Sequence, residues 1–233
     1  METFDEFVDR LRDIQQREYV ETHRAGNTGI GKTLEDLLGI EENNIPGPDA
    51  VGVELKSTRR QSHNLTTLFT KEPPRDKRNL WNQELVRELG YVDDKDRQAL
   101  KATIEPDSPN SLGFFLTYDE GSVSVSHEEY GICATYPLDL LRDTFEGKMP
   151  ELVMVVADSK KVDGREHFHY NEAYHLDGFD GDRFLELMRD GVITLDLRMH
   201  VKDNGNIRNR GTAWRILDDN RLDEAFAERT PLL

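Results

Sequence analysis

Pro48-Asp49-Ala50-Val51-Gly52-Val53-Glu54-Leu55-Lys56-Ser57 sets two carboxylates and one ammonium inside an apolar stretch that reads as a strand. Residues two apart on a strand share a face, so Glu54 and Lys56 point the same way. A buried Glu–Lys pair beside a lone Asp is costly unless something offsets it, and a divalent cation is the usual candidate. Mg²⁺ favours carboxylate and carbonyl oxygens and completes its shell with water and substrate phosphate. Asp49 and Glu54 would hold such an ion, and Lys56 would orient or activate a water. The ion itself would acidify water and neutralise developing charge, as phosphodiester hydrolysis requires. Asp49 and Glu54 differ in parity; Gly52 between them marks a bulge that restores the phase. The bare spacing also fits an exposed charged strand, and the apolar packing of Ala50, Val51, Val53 and Leu55 is what favours a site.

Three further stretches join the first: Gly26-Asn27-Thr28-Gly29-Ile30-Gly31-Lys32-Thr33-Leu34-Glu35, Glu166-His167-Phe168-His169-Tyr170-Asn171-Glu172-Ala173 and Arg208-Asn209-Arg210-Gly211-Thr212-Ala213-Trp214-Arg215. With these blocks the chain resembles the MvaI/BcnI-type restriction endonucleases and, in the Asp49 to Lys56 core, the related MutH-type mismatch-repair nickases of the PD-(D/E)xK superfamily. The resemblance implies an α/β fold, a mixed β-sheet flanked by helices with catalytic and recognition lobes. It implies Mg²⁺-dependent cleavage of double-stranded DNA by a monomer, with a cognate methyltransferase in the same system. Asp49, Glu54 and Lys56 match its catalytic positions, the Leu55 carbonyl would aid the metal, and Glu35 matches a helical glutamate that approaches it. A nickase would need a partner to activate it, whereas a restriction enzyme cuts both strands unaided.

Gly26-x4-Gly31-Lys32-Thr33 also satisfies the Walker A pattern, with Leu152 to Asp158 as a candidate Walker B strand. A phosphate loop must follow a buried strand, and Gln16 to Arg24 is polar nearly throughout, so nucleotide binding is the weaker reading. His167, His169 and His175 match no zinc spacing and read as a polar strand face. Lys202-Asp203-Asn204-Gly205-Asn206 reads as a hairpin turn, carrying His200 and Lys202 on one strand and Arg208, Arg210, Thr212 and Arg215 on the next. By the resemblance this hairpin is the recognition segment. Arginine can bond guanine, clamp phosphate or pair with nearby acids, and the sequence alone leaves these open.

The net charge of −16 opposes nucleic-acid binding at first sight. Its distribution does not. Lys56 to Arg78, including Arg59 and Arg60, carries +5 and Arg198 to Arg215 carries +4, leaving −25 on the rest. Two basic islands in an acidic body suit a protein that grips DNA; solvated faces are the plainer alternative. The acidic remainder, with 20 Arg to 10 Lys, points to a halophilic host. No apolar run reaches a membrane span, no signal-like N-terminus appears, and the single Cys133 fits a reducing cytoplasm and a buried strand position.

Positioning these groups requires a helix over 3–16, capped by Thr3 and Glu6, and a helix bearing Glu35 that stops at Gly39. The Asn43 to Pro48 connection then leads into the catalytic strand, with 65–70 as its partner. A helix over 79–89, capped by Asn79, precedes strands near 99–104, 112–118, 122–127 and 130–135. Beyond lie a helix at 138–146, a buried strand at 152–157, a longer strand at 165–176, a helix at 182–190 and a strand at 192–201. Trp81 and Trp214 read as core. We expect one domain over 1–233, its catalytic lobe centred on 22–110 and its recognition lobe including about 160–217.

Overall fold

The structure, a computed structural model, describes residues 3–40, 52–61, 65–76, 79–80, 82–216 and 219–233. Asp49, Trp81 and the Asn43 to Pro48 connection therefore lie outside the described residues. The chain divides into two compact units, 1–64 with 146–181 and 218–233, and 65–145 with 182–217. The expected 22–110 segment is split at Asn64/Leu65, and the 160–217 segment at Gly181/Asp182.

The first unit begins with α1 (Phe4–Gln16), whose start carries the capping box expected of Thr3 and Glu6. Its apolar residues recur at helical spacing, and Phe7, Val8, Leu11 and Ile14 are buried. Full burial of each is worth about 1.5–3 kcal/mol. After the short β1 (Val20–Glu21) comes α2 (Gly29–Leu37). Gly39 stands past its end at φ +67°, a left-handed position that stops a helix. The sheet has the order β1-β10-β9-β2, where β2 is Glu54–Arg59, β9 Leu152–Val162 and β10 Arg165–Phe179, and β13 (Phe226–Pro231) pairs with β10. It is mixed: β2 runs parallel to β9 and the other pairs are antiparallel.

Pairing between β2 and β9 corrects the expectation that 65–70 partners the catalytic strand. Leu152 to Ala157 is a continuous buried apolar run, the signature of a strand covered on both faces. One face of the sheet packs on α1 and α2, with Val53, Leu55, Val153, Val155, Ala157, Phe168, Tyr170 and Ala173 against Ile30, Leu34 and Leu38. Arg10 also donates to the Leu38 carbonyl, tying the two helices together.

In the second unit a five-stranded antiparallel sheet has the order β3-β12-β11-β5-β4. These strands are Thr66–Thr70, Ile207–Ile216, Ile193–Val201, Gln98–Ile104 and Tyr91–Val92 respectively. A meander of β6 (Phe114–Tyr118), β7 (Ser122–His127) and β8 (Gly131–Pro137) accompanies it. Asp119 closes its first turn by accepting from the Gly121 and Ser122 amides. The helices are α3 (Asn82–Leu89), α4 (Leu138–Lys148) and α5 (Gly181–Arg189), the last two each straddling a unit boundary in the chain. Trp214 is fully buried, as expected, among Phe69 and Tyr136. Asn79 does not cap α3; its side chain bonds the Pro74 carbonyl and the Thr135 amide. Cys133 is buried, and burial pushes its thiol up to about 11, which makes it inert at neutral pH. Among the described residues no helix is long and apolar enough to cross a membrane.

Candidate active site and nucleic-acid interface

Strand β2 starts at Glu54, inside the Pro48 to Ser57 stretch read as a strand. Gly52 is not a bulge within it but a turn before it, at φ +89°, a conformation that side chains disfavour. The Glu54 amide bonds the Glu151 carbonyl at 3.0 Å, and Glu54 then pairs with Leu152 and Lys56 with Met154. Alternation puts Leu55 into the helix-covered core and sends Glu54 and Lys56 to the other face, as their spacing predicts.

Glu54 is 1% exposed. Lys56 Nζ donates to its Oε1, and Lys148, in the last turn of α4, places its Nζ 3.5 Å from the same oxygen. Oε2 is buried with no hydrogen-bond partner among the described residues. Leaving a buried charged oxygen unsatisfied is costly, and such atoms call for an explanation. A hard divalent cation fits one: an anionic oxygen donor with an open lone pair, on a carboxylate whose other oxygen meets two lysines. Lys148 escaped the sequence reading because nothing local connects a helix end to Glu54; the link is the β2–β9 pairing that follows α4.

Glu35 sits on α2, on the other side of the strand's alternation, near Gly31 and Ser57. A side chain at Gly31 would meet Ser57 Oγ at 3.7 Å and Glu35 Oε1 at 3.9 Å. The Tyr170 hydroxyl, which donates to the Ile30 carbonyl, has its pKa raised by burial and, further down the order of causes, by the charge of Glu35. Gly29 is required by close approach: a Cβ there would lie 2.2 Å from the Arg24 carbonyl. The glycines thus pack a loop against a helix start. The Walker A reading fails on three counts. The strand β1 is two residues long and antiparallel to β10, Lys32 pairs with Asp36 at 2.7 Å, and the buried Thr33 hydroxyl donates to the Gly29 carbonyl.

Three cations of the first basic island, Lys56, Arg59 and Arg60, are engaged within the first unit. Arg59 forms a two-pronged pair with Glu166 at 2.7 and 2.8 Å and donates to the Asn27 and Gly26 carbonyls. Arg60 binds Asp158 at 2.8 Å, Glu172 at 2.5 Å and Asn171 at 2.9 Å. A cleft of about 800 Å³ opens beside Arg59, lined also by Arg24, Lys161, Arg165 and Glu166. Arg165 in turn pairs with Glu21. His167, His169 and His175 bond the Arg165 carbonyl, the Gln15 carbonyl and Glu151, and the described residues hold no metal-binding cluster.

In the second unit, β11 and β12 form the expected hairpin, with Gly205 at φ +77° in the turn. His200 pairs with Arg208 across it. Lys202, Arg208 and Arg210 are exposed, and Arg208 and Arg210 have no carboxylate partner among the described residues. Thr212 and Arg215 are placed otherwise. Thr212 is 2% exposed and bonds Glu72 at 3.1 Å. Asn209 joins the same carboxylate oxygen at 2.6 Å. Arg215 binds the buried Asp196 at 2.7 Å and the Leu65 carbonyl. Burial presses the His200 pKa down, with Arg97 and Arg208 adding to it.

The model of the MvaI/BcnI restriction endonuclease family matches residues 8–224. Among solved structures, the restriction endonuclease MvaI in complex with cognate DNA is similar over 100% of both chains, at 26% identity and a TM-score of 0.84. The same endonuclease without DNA aligns over 100% of both chains at 26% identity and a TM-score of 0.55. No curated protein matches the chain.

Proposed function

The chain belongs to the MvaI/BcnI restriction endonuclease family and is a sequence-specific type II DNA endonuclease; from that premise we propose that it hydrolyses double-stranded DNA with Mg²⁺ at Asp49 and Glu54, leaving 5′-phosphate and 3′-hydroxyl ends. The family generally uses a divalent metal. One observation carries the assignment to this strand: the buried Glu54 with an unpartnered Oε2 and two lysines on Oε1.

When bound, the ion supplies charge neutralisation at the phosphate and acidifies water. Glu54 and Asp49 would hold it, assisted by the Leu55 carbonyl. Lys56, fixed by its bond to Glu54, orients the attacking water. Lys148 adds positive charge on the same side, where a phosphodiester gains negative charge during in-line attack. Glu35 supports the strand from the helix side. Lys202, Arg208, Arg210 and His200 face DNA, with Thr212 and Arg215 holding the frame beneath them, while Arg59 and Arg60 brace the first unit through their acids. The chain works as a monomer with one active site, so a double-strand break takes two successive nicks, and a cognate methyltransferase protects the host.

The test is incubation of unmethylated plasmid with the purified protein and Mg²⁺ over a KCl series reaching molar salt. Discrete linear fragments, absent with Lys56→Ala although that variant still binds DNA, are the expected result. A folded protein that cuts at no salt concentration would refute the reading, and nicking that appears only with an added partner would place it among the repair nickases.

A further inference from the structure

We propose that the DNA-binding face of the second unit extends past the β11–β12 hairpin onto β5 and the turn before it, where Lys101 and Arg97 contact backbone phosphates of double-stranded DNA. This rests on the endonuclease reading above. The strand register puts the new residues beside the old ones: Lys101 pairs with Arg198, and His200 pairs with Ala99 on one side and Arg208 on the other. Directly paired residues have Cβ atoms about 5 Å apart, so these cations share one face of the sheet.

Asp93 sets their height. Its side chain is 3% exposed, while those of Arg97 and Lys101 are 27% and 45% exposed. The carboxylate accepts from Arg97 at 2.7 Å, from Lys101 at 3.1 Å and from the Lys95 and Arg97 amides at 3.0 and 3.2 Å. Hydrogen bonds, chiefly from Arg97, hold its pKa well below the usual carboxylate range, so it stays charged. One submerged anion thus tethers two cations that still face water: these three side chains sum to +1, with the charges of Asp94 and Asp203 also acting on Arg97. Arg97 and Arg208 both press down the pKa of His200, which places the two guanidiniums around the same imidazole.

Phosphate is the chemistry these residues fit. Reading guanine needs a free guanidinium fork, and Asp93 already takes the Nε edge of Arg97. What remains is a pre-positioned positive charge, which recognises a phosphate without reading sequence and loses little side-chain freedom on binding. The buried Asp93 lies four residues before Arg97, at the β4–β5 turn, and no motif in the chain advertises it.

The test is duplex binding by the intact chain with a chelator present to prevent cutting, read by fluorescence anisotropy on a mixed-sequence duplex over a KCl series. Each lost phosphate contact lowers the slope of log K against log [salt] by about 0.9. Lys101→Gln should lose about 0.9 and the Arg97→Gln/Lys101→Gln pair about 1.8, with binding at low salt about tenfold weaker per contact. Arg97→Gln strips Asp93 of its main partner, so Lys101→Gln, which leaves Arg97 in place, decides the matter if the double variant unfolds. Arg142→Gln on α4, whose guanidinium pairs with Asp139 and lies on none of these strands, controls for net charge. An unchanged slope in Lys101→Gln, or an equal loss in Arg142→Gln, overturns the inference. No duplex binding by the unaltered protein would instead strike the endonuclease reading on which it rests.

Discussion

Replacing Glu54 by Gln tests the metal assignment without DNA. The amide has nearly the same shape and keeps an oxygen for Lys56 and Lys148, so the metal-free fold should change by less than about 2 kcal/mol. It removes the anionic Oε2, the buried atom that has no partner. On the proposed reading Mg²⁺ would satisfy that oxygen in the unaltered protein and stabilise the folded state by RT ln(1 + [Mg²⁺]/Kd). At ten times Kd this is about 1.4 kcal/mol. For a chain of 233 residues the melting midpoint should then rise by about 3–6 °C. A thermal melt followed by tryptophan fluorescence, with and without Mg²⁺, reads the shift directly. Glu54→Gln should show none of it and should not cut plasmid. An equal rise in Glu54→Gln, or no rise in the unaltered protein at any Mg²⁺ concentration, would refute the argument that the orphaned oxygen marks the metal position.

Two further outcomes follow from the ion pairs. Arg215→Met breaks a pair in which both side chains are nearly buried, 11% and 6% exposed, and should lower stability by about 3–5 kcal/mol in urea denaturation. Arg208→Met should leave stability within about 0.5 kcal/mol and weaken duplex binding; equal stability losses in the two would contradict the division drawn here. Asp158, Glu166 and Glu172 have pKa values held below their ordinary 3.8 to 4.5: Asp158 and Glu166 first by hydrogen bonds from Arg60 and Arg59, Glu172 first by Tyr174 and then Arg60. A depressed carboxylate stabilises the fold above its unfolded pKa and loses that contribution as pH falls through the folded one. The melting midpoint should therefore hold down to about pH 4.5 and drop below it, less steeply in Arg60→Met. A steep fall already between about pH 7 and 5 would show that other groups control acid stability.

Local chemistry was legible in the sequence wherever a short-range rule governed it. The Thr3/Glu6 capping box, the Asn204-Gly205 turn and the shared face of Glu54 and Lys56 are each set within a few residues, and each stands in the structure. Partners distant in the chain were not legible. The strand that pairs with Glu54 to Arg59 lies about a hundred residues away, and its apolar run was visible but not its parallel register. The same limit hid Lys148, Arg97 and the C-terminal β13, whose exposed Ala227 to Thr230 shows no burial alternation to announce a strand. The resemblance supplied Glu35 as a site residue, and the helix that carries it was read correctly from Leu34 and Gly39.

Charge in a sequence window proves to be a poor measure of charge presented to a ligand. The island from Lys56 to Arg78 carries +5 in sequence, yet its first three cations meet Glu54, Glu166, Asp158 and Glu172, drawn from outside the island or from the strand's own start. The second island loses Arg198 and Arg215 to the single buried Asp196. What the second island keeps is the opposite of a run: Lys202, Arg208 and Arg210 from one hairpin, joined by Lys101 from β5 and Arg97 from the turn before it. Such a footprint is assembled by strand register and exists only in the folded sheet. A protein of net charge −16 can then meet DNA with a small, fixed set of cations, because long-range repulsion from the remaining acids is screened within about 10 Å at ordinary salt. The number of contacts, and so the salt slope, follows from the exposed cations of one sheet face and not from composition.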